Sequence, residues 1–189
     1  MQANNHIDFD QYLLRLLEPD DLLPYFQMVE KNRKRLENFF TGTVSRTKTL
    51  EDTRQFIIDI LERAAARTYF PYLLIDKGSS AIVGFFDIKN IDWSLPKAEL
   101  GCYMDEASAG KGIAGRALAL FVHHCFSQYG FVKLFLRTHE SNTAARQIAE
   151  KCGFVREGRL RSDYRTSSGE LVDLLYYGLL NSDPYPKPS

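Results

Sequence analysis

The chain of 189 residues is poor in cysteine and has no excess of charge of either sign. Its three cysteines, Cys102, Cys125 and Cys152, lie far apart and form no CxxC pair. We therefore expect neither a disulfide framework nor a metal site, and free thiols are typical of the reducing cytoplasm. Lys and Arg together number 24 and so do Asp and Glu. This balance argues against a nucleic-acid-binding protein, which usually carries a basic excess.

Long hydrophobic runs are also missing from the sequence. No run approaches the roughly 18–20 apolar residues of a membrane span, and the opening MQANNHIDFD lacks the basic and apolar parts of a secretion signal. We expect a cytoplasmic protein with no membrane contact. Hydrophobic residues make up 44% of the chain, which suits one globular domain. We expect an N-terminal extension at 1–11, a domain at 12–180 and a proline-rich C-terminal tail at 181–189.

Hydrophobic periodicity predicts the element order β-α-α-β-β-β-α-β-α-β-β. The predicted strands cover residues 12–17, 72–76, 81–90, 98–104, 132–137, 154–160 and 171–180. The predicted helices run from Leu22 to Arg35, from the capping box at 49–52 to Ala64, from the glycine-rich turn at 109–115 to Gly130, and from Asn142 to Cys152. Residues 41–48 and 162–170 are expected to be loops. One mixed sheet with helices on both faces, an α/β (α+β) fold, is the simplest packing.

The glycine-rich segment Ala109–Gly115 joins a predicted strand to a predicted helix. Glycines there allow backbone N–H groups to approach an anion, and a helix N-terminus favours negative charge. A phosphate or pyrophosphate is the expected guest, and a turn without a ligand is the alternative. Gly110, Gly112 and Gly115 also fit the dinucleotide pattern GxGxxG. Because only about 75 residues follow, a complete doubly wound sheet is not expected.

The segment from Ala98 to Phe154 resembles the acyl-CoA-binding half of the GNAT acetyltransferases. Residues 109–114 fit that family's [QR]xxGx[GA] motif except at its first position, and the stretch from Asn142 to Gly153-Phe154 resembles its second motif. The flanking "LRLLEPDD", "TLEDTRQFI", "GFVREGRLR" and "LVDLLYYGLL" resemble the branch that acetylates N-termini of ribosomal proteins. The resemblance implies a single GNAT-like domain with a largely antiparallel central sheet.

This resemblance implies direct transfer of an acetyl group from acetyl-CoA to a primary amine, first of all a protein or peptide N-terminus. A non-catalytic acyl-CoA-binding module and an acetyltransferase for a small-molecule amine stay as alternatives, and a homodimer is an open option. By the same resemblance, main-chain atoms of three residues pair with the pantetheine arm, namely Cys102, Tyr103 and Met104. The pyrophosphate is expected on the backbone of Gly110, Lys111, Gly112, Ile113, Ala114 and Gly115. Arg116 and Arg146 are candidates for phosphate contacts, and Asn142 for a pantetheine contact, a helix cap or both.

The candidate catalytic residues are fewer. Glu99 is the first candidate for the general base, since it lies on the strand that leads into the glycine turn; a purely structural ion pair is its alternative role. Tyr164, with Asp163 beside it, stands where the resembled branch carries a carboxylate base.

The thiolate's proton donor is left undecided by two departures from the family. Ala145 replaces a serine of the ribosomal-protein branch, and Ala149 replaces a tyrosine of other branches. Tyr164, Tyr103 or water could donate instead. His139 is a secondary acid–base candidate. For Cys102, an ordinary buried thiol is favoured over a covalent nucleophile.

Ordinary amine pKa values favour one acceptor class. An α-amino group has a pKa of about 7.7–8.0, so roughly a tenth of it is neutral at pH 7. A lysine, with a pKa of about 10.4, is less than a thousandth neutral. A site with reduced acid–base equipment therefore favours an N-terminal or similarly low-pKa amine.

Overall fold

A computed structural model describes residues 6–187. The strands within this part of the chain are β1 (His6–Phe9), β2 (Tyr12–Leu16), β3 (Phe70–Asp76), β4 (Ala81–Asp92), β5 (Lys97–Met104), β6 (Lys133–His139), β7 (Val155–Arg165) and β8 (Leu171–Leu180). The α-helices are α1 (Leu22–Leu36), α2 (Thr41–Ser45), α3 (Leu50–Ala65), α4 (Ile113–Tyr129) and α5 (Thr143–Lys151). None of these helices is both long and apolar enough to cross a membrane.

The strands form one sheet in the order β1-β2-β3-β4-β5-β6-β8-β7. Every neighbouring pair is antiparallel except β5 and β6, which run parallel. The predicted mixed, largely antiparallel sheet is therefore confirmed.

Helices cover both faces of this sheet, as predicted. Neighbouring strand residues point to opposite faces, so Phe85 packs in the core with α1 and α3, whereas Phe86 packs in the core with α4. Tyr25 and Ile57 belong to the first core, and Phe121 belongs to the second. The sheet thus separates two hydrophobic layers.

Helix ends follow the sequence signals. Thr49 and Asp52 form the predicted capping box, in which each side chain accepts a hydrogen bond from the backbone N–H of the other. Gly130 ends α4 with a φ of 71°, in the left-handed region that favours glycine.

Three elements differ from the periodicity-based expectation. Residues of β1 lie within the expected extension, but they pair with β2, from His6 opposite Arg15 to Phe9 opposite Tyr12. Four residues are too short to show a period, so the pairing itself defines this strand. The expected loop at 41–48 contains α2, which buries Val44. Strand β7 reaches Arg165 through an irregularity between Leu160 and Tyr164, so it takes in part of the expected loop at 162–170.

Candidate active site

A gap opens in the sheet between β5 and β6. The two strands pair over only three residues each, from Lys97 opposite Lys133 to Glu99 opposite Phe135. Beyond Glu99, no strand of the described chain pairs with this edge of β5. The edge therefore offers unpaired backbone groups to an extended ligand, in the way an added strand pairs with a sheet.

Backbone alternation decides which residues offer those groups. The Asp105 N–H donates to the Val83 carbonyl on β4 at 2.8 Å. In an antiparallel pair every second residue directs its polar groups to the same neighbour, so Tyr103 also faces β4. Cys102 and Met104 face the gap. The main-chain groups of Tyr103 are directed to β4 by this alternation, so the expected pairing of Tyr103 with the pantetheine arm stays a prediction that the geometry does not favour.

Met104 has a further partner at the gap. Its carbonyl accepts a hydrogen bond from the Arg35 guanidinium, which reaches across from α1. A carbonyl oxygen has two lone pairs and can accept a second bond. Met104 thus lies where α1 and the open edge of β5 meet.

The glycine-rich turn forms the far end of the gap. Gly110 and Gly112 have φ values of 75° and 77°, which glycine adopts without strain. A Cβ built on either of them would meet no atom within 4 Å, so the space in front of the turn is open. No side chain among residues 6–187 caps α4, and its first N–H groups, those of Ile113, Ala114 and Gly115, have no intrahelical acceptor. This arrangement fits a diphosphate group.

The other residues expected at the cofactor are differently engaged. Arg116 forms an ion pair with Asp10 at 2.7 Å, and Lys111 is exposed. Arg146 donates to the Glu140 carbonyl at 3.1 Å. Asn142 is the cap of α5: its side chain accepts from the Ala145 N–H at 3.2 Å. The predicted cap is confirmed, and the phosphate and pantetheine contacts stay predictions.

Glu99 lies at the closed end of the gap and is only 4% exposed. Its Oε2 accepts hydrogen bonds from Asn90 Nδ2 at 2.6 Å and from Arg137 Nη2 at 2.9 Å. Its Oε1 is not sealed from solvent and accepts no hydrogen bond from the described residues. One carboxylate oxygen is thus held by the protein, and the other is free to accept a proton.

Arg137 extends this polar cluster to the next strands. Its Nη1 donates to Asp163 Oδ2 on β7 at 2.6 Å, while Nη2 holds Glu99. Burial acts to lower the pKa of Arg137, but the hydrogen bonds and charges of Glu99 and Asp163 outweigh it, so the pKa is raised. Arg137 therefore stays a cation.

A second ion pair borders Glu99 on the β4 side. Lys89 lies 3.3 Å from Asp87, whose other oxygen accepts from the buried Tyr69 hydroxyl at 2.8 Å. A Cβ at Gly101 would come within 2.3 Å of Asp87 Oδ1. Glycine at this position therefore lets the Asp87 and Lys89 side chains cross over β5.

Of the two tyrosines considered as proton donors, Tyr103 does not reach the gap. It is 5% exposed, and its hydroxyl shares a hydrogen bond of 2.8 Å with Tyr25 inside the core. Burial raises its pKa well above the ordinary value. Tyr164 is half-buried, and its hydroxyl accepts from the Thr41 N–H at 2.9 Å and contacts Thr41 Oγ1 at 2.8 Å. The suggestion of Tyr103 as proton donor is therefore wrong, whereas that of Tyr164 stays a prediction.

His139 and Cys102 complete the candidates. His139 Nδ1 accepts from the Ser141 N–H at 3.2 Å and contacts Ser141 Oγ at 2.6 Å, so this nitrogen is engaged by the turn after β6, and the acid–base role of His139 stays a prediction. Burial raises the pKa of the Cys102 thiol to about 12. A protonated thiol is a poor nucleophile, which agrees with transfer that does not pass through Cys102.

Three contact residues were missed by the sequence reasoning: Asn90, Arg137 and Arg35. Arg137 carried a usable signal, because it alternates with apolar residues on a predicted strand and so lies on the face of Lys133 and Phe135. Asn90 carried no such signal in the sequence, since its position depends on a local irregularity in the β4–β5 pairing and on a φ of 47°.

The sequence profile of the "Acetyltransferase (GNAT) domain" matches residues 11–155 of this chain. The chain belongs to the GNAT acetyltransferase family. GNAT acetyltransferases use acetyl-CoA, and the open turn and unpaired strand edge described above fit such a donor. Among residues 6–187 no three His, Cys, Asp or Glu side chains are grouped to hold a metal ion.

Relatives of this GNAT protein include ribosomal-protein acetyltransferases. YdaF of Bacillus subtilis (strain 168), which has a provisional name as a ribosomal N-acetyltransferase, is 28% identical over 96% of this chain and 95% of its own. The ribosomal-protein-serine acetyltransferase of Escherichia coli (strain K12) is 24% identical over 78% of this chain and 81% of its own. The structure of ribosomal-protein-S5-alanine acetyltransferase from Vibrio fischeri superposes with a TM-score of 0.86 at 21% identity, covering 96% and 99% of the two chains. That likeness shows the fold.

Proposed function

We propose that this GNAT acetyltransferase transfers an acetyl group from acetyl-CoA to the α-amine of a protein or peptide N-terminus. The observation that carries the proposal is the combination of three features: the uncapped N-terminus of α4, the unpaired edge of β5, and the free Oε1 of Glu99 at the point where β5 and β6 part. A bound diphosphate at one end and a proton acceptor at the other are what acyl transfer to an amine requires.

On the donor side, the protein binds and orients. The N–H groups of Ile113, Ala114 and Gly115 are free to hold the diphosphate, and Cys102 and Met104 can pair with the pantetheine amides. Holding both reactants in place supplies a large share of the rate, about 7–11 kcal/mol of the barrier in favourable cases.

On the acceptor side, Glu99 takes a proton from the ammonium form of the acceptor, directly or through a water, and passes it to solvent. The neutral amine nitrogen attacks the thioester carbonyl, and this nitrogen loses its extra proton to Glu99 or water as the carbon–sulfur bond breaks. The thiolate takes a proton from solvent, or from Tyr164, which solvent then reprotonates. Such acid–base assistance typically contributes about 10²–10⁴-fold.

Two considerations favour an N-terminal amine. The first is the larger neutral fraction of an α-amine at pH 7, which suits a site with alanine at positions 145 and 149. The second is that both relatives described above have names that refer to ribosomal acetylation. A cytoplasmic location and a homodimer stay predictions.

A coupled assay of acetyl-CoA consumption tests the proposal. The acceptors are a short peptide with a free N-terminal Ser or Ala, the same peptide blocked at its N-terminus but containing lysine, and spermidine. We expect turnover with the free N-terminus and little with the blocked peptide. Turnover confined to lysine or spermidine would reject the N-terminal acceptor, and no turnover with binding of CoA would favour a binding module.

Glu99→Gln tests the role of the base. We expect its turnover to fall about 10²–10⁴-fold, with CoA affinity unchanged because Glu99 is not placed at the diphosphate end. Glu157→Gln is the control, since Glu157 also forms an ion pair, with Lys133 at 2.6 Å, but lies on β7 and not on β5. Equal turnover of the two variants would remove Glu99 from the reaction.

A further inference from the structure

We infer that Arg137 is a positioning residue that fixes the orientation of Glu99 for proton transfer. The inference rests on the proposed function. Arg137 lies on β6 and joins two carboxylates that reach it from strands on either side, Glu99 of β5 and Asp163 of β7. One guanidinium therefore ties together three strands at the closed end of the gap.

The geometry separates this contact from an ordinary surface ion pair. The Arg137 side chain is 27% exposed and the Glu99 side chain 6%, so solvent screens this ion pair less than it screens a fully exposed one. Arg137 offers two nitrogens in the fixed fork of the guanidinium, one for each carboxylate. Rotation of the guanidinium away from either carboxylate would therefore break both contacts.

Asn90 makes the orientation of Glu99 unique. It donates to the same oxygen that Arg137 binds, Oε2. With two donors on Oε2, the second oxygen is left without a hydrogen bond from the described residues. Loss of Arg137 leaves Asn90 as the only described donor and lets the carboxylate turn.

The charges around Glu99 make Arg137 important for a second reason. The charged and titratable groups that face it come from β4, β6, β7 and β8: Asp87 and Lys89, Arg137, Asp163, and Tyr176, on whose pKa Glu99 acts. The positive charge of Lys89 also forms an ion pair with Asp87, so it is not available to Glu99 alone. Without Arg137, Glu99 and Asp163 face each other with no cation between them, and like charges disfavour the ionised forms.

Steady-state kinetics of four variants test the inference. They are Arg137→Gln, Arg137→Lys, Glu99→Gln and the double variant Arg137→Gln/Glu99→Gln. We expect Arg137→Gln to lower kcat by about 10²-fold, the scale of a misplacement of 1 Å, with the KM for acetyl-CoA unchanged. The acidic limb of its pH–rate profile should move to higher pH. Arg137→Lys should recover only part of the loss, because an ammonium keeps the charge but not the fork.

The double variant separates positioning from a general structural role. If Arg137 acts through Glu99, Arg137→Gln has no further effect in the Glu99→Gln background. An equal loss in both backgrounds, or an unmoved pH profile, overturns the inference. Arg15→Gln is the matched control and should leave kcat unchanged. Arg15 lies on β2, is 24% exposed, and binds Asp21 at 2.8 Å with both terminal nitrogens.

The outcomes also distinguish this inference from the proposed function. If the wild-type protein transfers acetyl groups to peptide N-termini and Arg137→Gln does so at the same rate, only the role of Arg137 fails. If the wild-type protein transfers none, the proposed function fails first.

Discussion

Gly112→Ala is the sharpest test of where the diphosphate binds. Gly112 precedes the first residue of α4 with a φ of 77°, and a Cβ there would point into open space. The substitution therefore causes no clash within the described protein. Its cost to folding is the strain of a left-handed backbone for a residue other than glycine, about 1–2 kcal/mol.

Gly130 provides the same substitution at the other end of the same helix. It has a φ of 71°, and a Cβ on it also meets nothing within 4 Å. Gly130→Ala should lower the free energy of unfolding by a similar amount. For a chain of this length, each kcal/mol lowers Tm by about 2–4 °C, so both variants should melt a few degrees below the wild type.

Affinity for CoA should separate the two variants. Alanine at 112 places a methyl group in the open space before the α4 N-terminus and shifts the N–H groups that hold the diphosphate. A hydrogen bond to a charged group contributes about 1.5–3 kcal/mol, so loss of one raises Kd about 10–100-fold. Isothermal titration with CoA, beside thermal unfolding, measures both quantities. Equal CoA affinity in Gly112→Ala and Gly130→Ala would show that the diphosphate does not bind at this turn.

Two further predictions concern Tyr164 and His124. If Tyr164 donates the proton to the thiolate, Tyr164→Phe lowers kcat at least tenfold. Thr41→Val removes only the hydroxyl partner of Tyr164 and should leave kcat near the wild-type value. Equal losses of kcat in the two variants would instead mean that the contact between α2 and β7 matters. Burial, aided by the charges of His123 and His6, lowers the pKa of His124 from its ordinary 6.5 to about 4. Because the unfolded chain binds the extra proton between these values, the free energy of unfolding should fall as pH drops from about 6.5 to about 4, by up to about 3 kcal/mol. Denaturant unfolding of the wild type and His124→Gln at pH 7 and pH 5 measures this, and an equal pH dependence in both would refute it.

Local signals in the sequence were sufficient for most helices and strands. The capping box at Thr49 and Asp52, the cap at Asn142 and the glycine at 130 each act within a few residues, so the printed letters carry the information. The strand β1 and the helix α2 were not predictable in this way. His6–Phe9 becomes a strand because β2 lies beside it, and Thr41–Ser45 is a helix whose first N–H is capped by Tyr164, 123 residues away.

The same division applies to the candidate site. The glycine turn and Glu99 stood out in the sequence because their residue types are tied to a local requirement: a left-handed backbone before a helix, and a carboxylate on the strand that leads into it. The groups that surround Glu99 could not be recognised from the sequence. Asn90 and Arg137 donate to its carboxylate from β4 and β6, and Asp163 of β7 joins this cluster through Arg137. The exclusion of Tyr103 follows from the face of β5 on which its side chain lies.

The sequence by itself determined the family, most of the helices and strands, and the glycine turn, because motifs and periodicity are properties of short stretches of chain. Only the tertiary structure decided which oxygen of Glu99 is free, which backbone groups of β5 face the gap, and which tyrosine is withdrawn into the core. Those features depend on strand register and on charges that approach one another from distant parts of the chain, and no local pattern encodes the distance between them.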